Sequence, residues 1–429
     1  MDFAGLQDPM CGNSVPDGWK LMRLGDLGCV RYGLGQPPEQ SADGVPMLRA
    51  TNVKRGRLVS DGLIRIKREA IPESRNPYLR AGDIIVVRSG AYTGDVAMVT
   101  EEWAGSVAGY DLIFSPNPEL IPQFCAAVLL SDPIQAFFHG ERDRSAQPHL
   151  NRQQLQSTAI PLPPLCEQRK IAAVLGLVQG AIEQQERLIA LTAELKKALL
   201  HKLFTEGLRG EPQKQTEIGP VPQSWEVVQV SDSVSITNGQ IDPAAAPFSE
   251  MLHVGPENIE SGTGRLSNLR TNSELRIHSG NYHFTPDDVL YSKIRPYLNK
   301  VALPNFEGTC SADVYPLRAK NHQFVRSFLF QLLLSPQFNK QAISFQDRTG
   351  IPKINRAQLG SVLLPKPDKL DQLEIADTLS LCDRRGDVLQ QKLRSLTDLF
   401  RFLLHQLMTA QIRVHDLDLS AISPTVSKI

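Results

Sequence analysis

The chain has 429 residues, 46 Lys and Arg against 46 Asp and Glu, a formal net charge of zero at pH 7, and 41% hydrophobic residues. That is material for two or three domains of ordinary soluble composition, and the charge balance excludes nonspecific polyanion binding by the surface as a whole. A local basic groove stays open, because it depends on where the charges sit.

Taken in order, residues 1–14 mix Gly, Pro, Asp and Asn without periodicity and read as a flexible lead-in. Order is expected from VPDGWKLMRLGDL at Val15 to Leu27, followed by a Gly, Pro, Gln and Ser loop up to Gly44. Short alternating runs then appear: MLRATNV, RLVSDGLIRI, and GDIIVVRSGAYTGDVAMV from Gly82 to Val99. Bounded by Gly, Asn and Asp turns, they predict strands. Pro122 to about Phe138 predicts a helix broken or kinked at Pro133. A first domain thus spans 15–160.

From 161 to 207 the pattern changes. Ile171, Val174, Val178, Ala181, Ile182, Leu188, Ile189, Leu195, Leu199 and Leu203 recur at steps of three and four, which predicts one long amphipathic helix. Pro163 and Pro164 suit its start, and Gly207, Gly210 and Pro212 its stop. At about 1.5 Å per residue it is a rod on the order of 60 Å long, too long for one small core.

After Gly210 the same plan restarts, about 205 residues on. VPQSWEVVQVSDSV mirrors VPDGWKLMRLGDL, DDVLYSKIRPYLNKVAL stands where GDIIVVRSGAYTGDVAMV stood, and PKINRAQLGSVLLPKP answers PHLNRQQLQSTAIPLP. This gives a second domain over 208–366, a second long helix over 367–411 and a tail over 412–429. Asp368 is the expected N-cap, and Ile375, Leu379, Cys382, Leu389, Leu393, Leu396, Phe400, Leu403 and Leu407 form a heptad seam. Gln372, Ile375 and Leu379 answer Gln168, Ile171 and Leu175. Each rod needs the other to bury its stripe, and a two-fold-like relation makes the pair antiparallel. Gly176, Gly180 and Gly386 interrupt the helices at about 1 kcal/mol each against alanine, through local tolerance or close helix approach. The fold class expected is α+β: two similar recognition domains separated by a pair of long antiparallel, coiled-coil-like helices, with an internal pseudo-two-fold repeat.

No P-loop or strand-linked GxGxxG occurs, and the Asn-Pro-Pro-aromatic quartet needed to hold a flipped adenine is absent. Adjacent carboxylates such as Glu101 with Glu102 and Asp287 with Asp288 point apart on a strand. Six cysteines lie scattered without a CxxC, so free buried thiols are expected, with no metal site. The apolar runs are too short to cross a bilayer and no signal pattern opens the chain, so a cytoplasmic protein is expected, and no catalysis is evident in its motifs. From Arg49 to Arg88 cations outnumber acids, and Tyr291, Lys293, Arg295, Tyr297, Asn299 and Lys300 crowd one short motif. Lys and Arg bind phosphates and Arg, Asn and Gln read base edges, which points these turn-rich segments at DNA.

The chain resembles the specificity subunits of type I restriction-modification systems. The likeness rests on IPLPPLCEQRKIAAVL, GDIIVVRSGAYTGDVAMV, DDVLYSKIRPYLNKVAL and the repeated order of domain then helix. LLPKPDKLDQLEIADTL departs from the family's Pro-Pro-Leu and Glu-Gln pattern at the second helix. The resemblance implies two target-recognition domains, each reading one half of an asymmetric bipartite site in double-stranded DNA, with the helices setting the spacer. It implies no enzymatic activity of this chain's own and no cofactor in it: modification subunits bring S-adenosylmethionine and restriction subunits bring ATP and Mg. It places DNA contacts at Arg49, Lys54, Arg88, Ser89 and Tyr92, and at Ser292, Lys293, Arg295, Tyr297 and Lys300. It places partner contacts on the helices, at Gln168, Gln185 and Gln372. The other reading is a stand-alone DNA-binding or protein-interaction scaffold of the same architecture.

Overall fold

The computed structural model describes residues 17–35, 38–72, 76–143, 149–345 and 352–414, with backbone only at 141–143. The lead-in over 1–14 and most of the tail over 412–429 lie outside the described residues. The chain divides into two compact units, 1–185 with 393–429 and 186–392, so each unit closes with helix from the other sequence repeat.

In the first unit a four-stranded antiparallel sheet runs in the order Gly28–Tyr32, Leu112–Pro116, Ile84–Val86, Val96–Met98. Ile84 and Val86 point into a core with Phe114, Phe124 and Phe138, while Ile85 and Val87 point into a second cluster with Leu48, Val53 and Leu79. Burial on both faces is why this segment reads as a continuous apolar run rather than an alternating one. A smaller sheet, Ile64–Ile66, Gln40–Leu48, Val107–Ala108, lies beside it, and Lys20–Arg23 pairs with Ala159–Leu162. The helix predicted from Pro122 is two, Pro122–Leu129 and Asp132–Asp143, and Pro133 occupies the first turn of the second, where its missing N–H does no harm.

The second unit repeats this order: Val234–Ile236, Val314–Ala319, Val289–Ser292, Val301–Ala302, with Glu226–Gln229 paired to Leu363–Lys366. Its side sheet carries Leu252–Val254 between Arg270–Thr271 and Gly308–Cys310.

The first long helix is Leu165–Glu206 and the second Lys369–Met408. Pro161 and Leu162 still belong to a strand, which moves the helix start past Pro164. Asp368 does cap the second helix, accepting the Asp371 N–H at 2.9 Å. In the second unit Arg209 meets Asp371 at 2.9 Å and Lys196 meets Asp383 at 2.6 Å, so the helix segments run antiparallel there. In the first unit Ile171, Ala172 and Leu175 share a core with Leu404, Leu407 and Met408.

Two devices tie the domains to the helices, once per unit. Gln168 accepts the Ile121 N–H at 2.8 Å and donates to Glu119 O and Pro163 O at 3.0 and 2.9 Å. Gln372 accepts the Val325 N–H at 2.7 Å and donates to Gln323 O and Pro367 O, both at 3.0 Å. The second device is an arginine beyond each long helix that reaches the acid in the first turn of the other: Arg413 to Glu167 at 3.1 Å, and Arg209 to Asp371. Glu167 also accepts the Trp19 indole N–H at 3.0 Å, whereas the Trp225 indole N–H has no hydrogen-bond partner among the described residues.

Some expectations are corrected. A Cβ at Gly176 or Gly180 would meet nothing within 4 Å, so those glycines mark tolerance and not close helix approach. The five described cysteines are free, yet Cys29 and Cys166 are exposed, one on an edge strand and one in a helix's first turn. Cys125 and Cys310 are buried, and burial pushes their thiols up. Among the described residues no helix is long and apolar enough to cross a membrane.

Candidate nucleic-acid interface

In each unit one end of the four-stranded sheet gathers the polar side chains that the sequence singles out. Antiparallel order brings together the C-terminal ends of the first and third strands and the N-terminal ends of the second and fourth. A tight loop links the third strand to the fourth, 89–94 in the first unit and 294–299 in the second. Both turn through left-handed residues at equivalent positions. Gly90 and Gly94 have φ of +85° and +93°, and Arg295 and Asn299 have φ of +47° and +46°. The Thr93 N–H donates to Gly90 O at 3.2 Å, as the Leu298 N–H donates to Arg295 O at 2.9 Å. Each loop is pinned to the segment before the last short helix, by the Leu150 N–H to Arg88 O at 2.7 Å and the Ile354 N–H to Lys293 O at 2.9 Å. Tyr92 and Tyr297 stand exposed at the two tips.

Charge is arranged differently on the two edges. In the first unit the Arg88 guanidinium carbon lies 5.0 Å from the Tyr32 ring centroid and 4.4 Å from that of Tyr110. The Tyr32 hydroxyl accepts the Arg152 N–H at 3.2 Å, which holds one wall of this stack. A Cβ on Gly33 would come within 2.2 Å of Gly109 O, so glycine lets the strand end approach Tyr110's neighbour. Behind them Asp111 is buried and accepts the Arg88 backbone N–H at 3.3 Å. Burial pushes its carboxyl up to about 6, against the pull of that hydrogen bond and of the Arg88 charge. Arg31, Tyr32, Gly33, Asn76, Arg88 and Tyr110 border a cleft of about 520 Å³.

In the second unit the cations are mostly committed. Lys293 lies 3.3 Å from Asp313 and 5.5 Å from the Tyr315 centroid. Arg356 donates to Ile236 O and Thr237 O at 3.1 and 2.6 Å, over the rings of Tyr282 and Tyr315. Arg295 is exposed and its guanidinium has no hydrogen bond or ion pair among the described residues; its backbone N–H donates to Pro352 O at 2.7 Å.

The structure therefore sorts the residues expected at the interface. Arg88, Tyr92, Arg295 and Tyr297 share the loop ends, and Lys54 is exposed, 3.9 Å from Asp61. Arg49 donates to Gly62 O at 2.6 Å, Lys300 donates to Pro256 O at 2.5 Å, and Ser89 bridges His149 within the backbone. Ser292 is corrected: it is buried at a strand end and its hydroxyl donates to Ile294 O, so it faces the core. Gln168, Gln185 and Gln372 are corrected as partner contacts too. All three are buried, and the first two-copy pair, Gln168 and Gln372, spends its amide on its own unit's backbone. Tyr32, Tyr110 and Arg356 went unselected. No local pattern marks the tyrosines, since only the folded sheet edge brings them to Arg88. Among the described residues no group of three or more His, Cys, Asp or Glu is placed to hold a metal. What the edges offer is hydrogen bonding, positive charge and aromatic faces.

A family model described as the type I restriction modification DNA specificity domain matches residues 16–193 and again 222–398. The type I restriction enzyme EcoDI specificity subunit of Escherichia coli is 23% identical over 414 residues, 90% of this chain and 86% of that one. The MjaVIII specificity subunit of Methanocaldococcus jannaschii is 23% identical over 434 residues, 95% and 96% of the two chains. The crystal structure of the type I restriction-modification S subunit from M. genitalium aligns with a TM-score of 0.57 at 15% identity, over 92% and 97% of the chains, a likeness of fold.

Proposed function

The chain belongs to the type I restriction modification DNA specificity family and is a specificity subunit with two recognition domains, and we propose that each domain reads one half of an asymmetric bipartite DNA site. The observation that carries this reading is the pair of loops 89–94 and 294–299. They place left-handed residues and an exposed tyrosine at equivalent positions on equivalent sheet edges, while every side chain except the tyrosine differs. One frame with two sets of contacts suits two different half-sites. Exposed cations near the loops supply sequence-independent phosphate contacts, and side chains at the loop ends supply base contacts.

The long helices set the unread spacer and dock the partner subunits. For that docking each unit carries exposed leucines at repeat-equivalent helix positions, Leu177 and Leu399 in the first and Leu381 and Leu195 in the second. Equal pairs suit two copies of one modification subunit. Methylation and cleavage, with S-adenosylmethionine, ATP and Mg, belong to the modification and restriction subunits, and this chain contributes the address, acting in the cytoplasm.

Co-expression with modification subunits followed by mapping of methylated adenines tests the reading. One asymmetric motif split by an unread spacer is expected. A contiguous motif, or no methylated motif, overturns it.

A further inference from the structure

We propose that Arg88, clamped between Tyr32 and Tyr110, reads the major-groove edge of a guanine in the half-site of the first unit. The inference rests on the DNA-reading role proposed above and names the base recognised. Arginine's planar fork matches the O6 and N7 acceptors of guanine in a two-pronged contact, whereas a phosphate asks only for charge. The clamp organises a plane. Tyr110 and Tyr32 lie 4.4 and 5.0 Å from the guanidinium carbon, and the Arg152 N–H holds the Tyr32 hydroxyl.

The hydrogen-bonding capacity of this guanidinium is unspent. It has no hydrogen bond or ion pair among the described residues, and its Nε is closed from solvent without a partner. Arg31, which borders the same cleft, is the opposite case: it donates to Asp83 at 2.6 Å, to Asn76 O and Tyr78 O at 3.1 and 3.0 Å, and to the Ser115 hydroxyl. Asp111 accepts the Arg88 backbone N–H, and among the described residues it makes no hydrogen bond or ion pair with the guanidinium. Among the described residues of the second unit no arginine is both clamped and unspent: Arg356 lies over two tyrosine rings but is bound by two carbonyls, and Arg295 is free but stands exposed without a clamp. The assignment is therefore made for the half-site of the first unit.

The test compares wild-type, Arg88→Lys and Arg88→Gln chains, each co-expressed with modification subunits, by methylation mapping at two salt concentrations, with a thermal melt of each purified chain. The expected result is a fixed guanine in one half-site whose preference falls about 10- to 100-fold in Arg88→Lys, with the other half-site unchanged and the melt preserved. Arg88→Gln should lose the guanine at the same position. The proposal is overturned if Arg88→Lys keeps full discrimination, or if binding weakens evenly across sequences with a shallower salt dependence, which is the signature of a phosphate contact. A wild-type complex with a bipartite motif but no guanine dependence at Arg88 removes this assignment alone. A wild-type complex with no bipartite motif removes both readings.

Discussion

Arg295 can be separated from the fold that carries it. It sits at φ +47° and ψ +59°, where an L side chain costs about 1–2 kcal/mol, and the first unit places Gly90 at the equivalent position with φ +85°. Arg295→Gly removes that strain and adds about 0.4–1 kcal/mol of unfolded-chain freedom, a net change of about 0–1.5 kcal/mol in favour of the fold. Arg295→Ala keeps the Cβ and the strain and so should be neutral. Both variants retain the backbone N–H that donates to Pro352 O at 2.7 Å. Both lose the exposed guanidinium, which should weaken or relax one half-site by about 1–3 kcal/mol if it reads a base. Urea denaturation followed by tryptophan fluorescence, beside methylation mapping, measures the two effects separately. The reasoning is refuted if Arg295→Gly destabilises the chain by more than about 1 kcal/mol, or if both half-sites relax together.

Removing either fastening glutamine, Gln168→Ala or Gln372→Ala, strips a half-buried backbone N–H of its acceptor and should cost about 1–3 kcal/mol in denaturant unfolding. Unchanged stability with weaker partner binding would restore the docking role. Burial pushes Asp111 up to about 6 from an unfolded value near 3.8, so the folded state holds its proton more tightly. The contribution of Asp111 to stability should therefore be fully present below about pH 4 and lost as pH rises through 6, by on the order of 3 kcal/mol, so that the wild-type chain loses stability over that window relative to Asp111→Asn in a pH series of denaturation midpoints. A wild-type series with no such fall contradicts the buried carboxyl. Leu177→Asp should remove one of two modification subunits in native mass spectrometry, and retention of both would move the dock elsewhere. Four residues inserted in register after Leu191 should lengthen the helix by about 6 Å, close to two base pairs, and map as a longer spacer with unchanged half-sites; altered half-sites would contradict a ruler.

The long helices were legible because Leu and Ile at steps of three and four have one physical explanation, and the repeat because Trp19 and Trp225 each open the same motif. Boundaries were softer: Pro161 and Leu162 are strand residues, since their pairing with Lys20–Arg23 lies far away in sequence. Gln168 looked like a surface amide because a polar residue in a helix's first turn is normally solvated. Only the folded chain brings Ile121 and Glu119 to it. Ser292 failed for a related reason: strand residues alternate faces, and the period alone does not say which face is the core. The Tyr32–Arg88–Tyr110 stack was illegible, because its members lie at a strand end and in two separate connecting segments far apart in sequence. The arginine clasps lay past the helix stops, where no periodicity leads.

The shared left-handed positions have a consequence for how such a chain changes its target. Gly90 and Gly94 keep in the first unit the bend that Arg295 and Asn299 keep in the second, so the bend does not depend on the side chains mounted on it. Glycine is then a structurally neutral stopover between two readers. A lineage can pass through it without refolding its sheet and arrive at a new side chain in an unchanged position. Retargeting becomes a matter of a few substitutions at the loop ends, selected on the DNA read, while the glutamine fasteners and arginine clasps keep the frame in place.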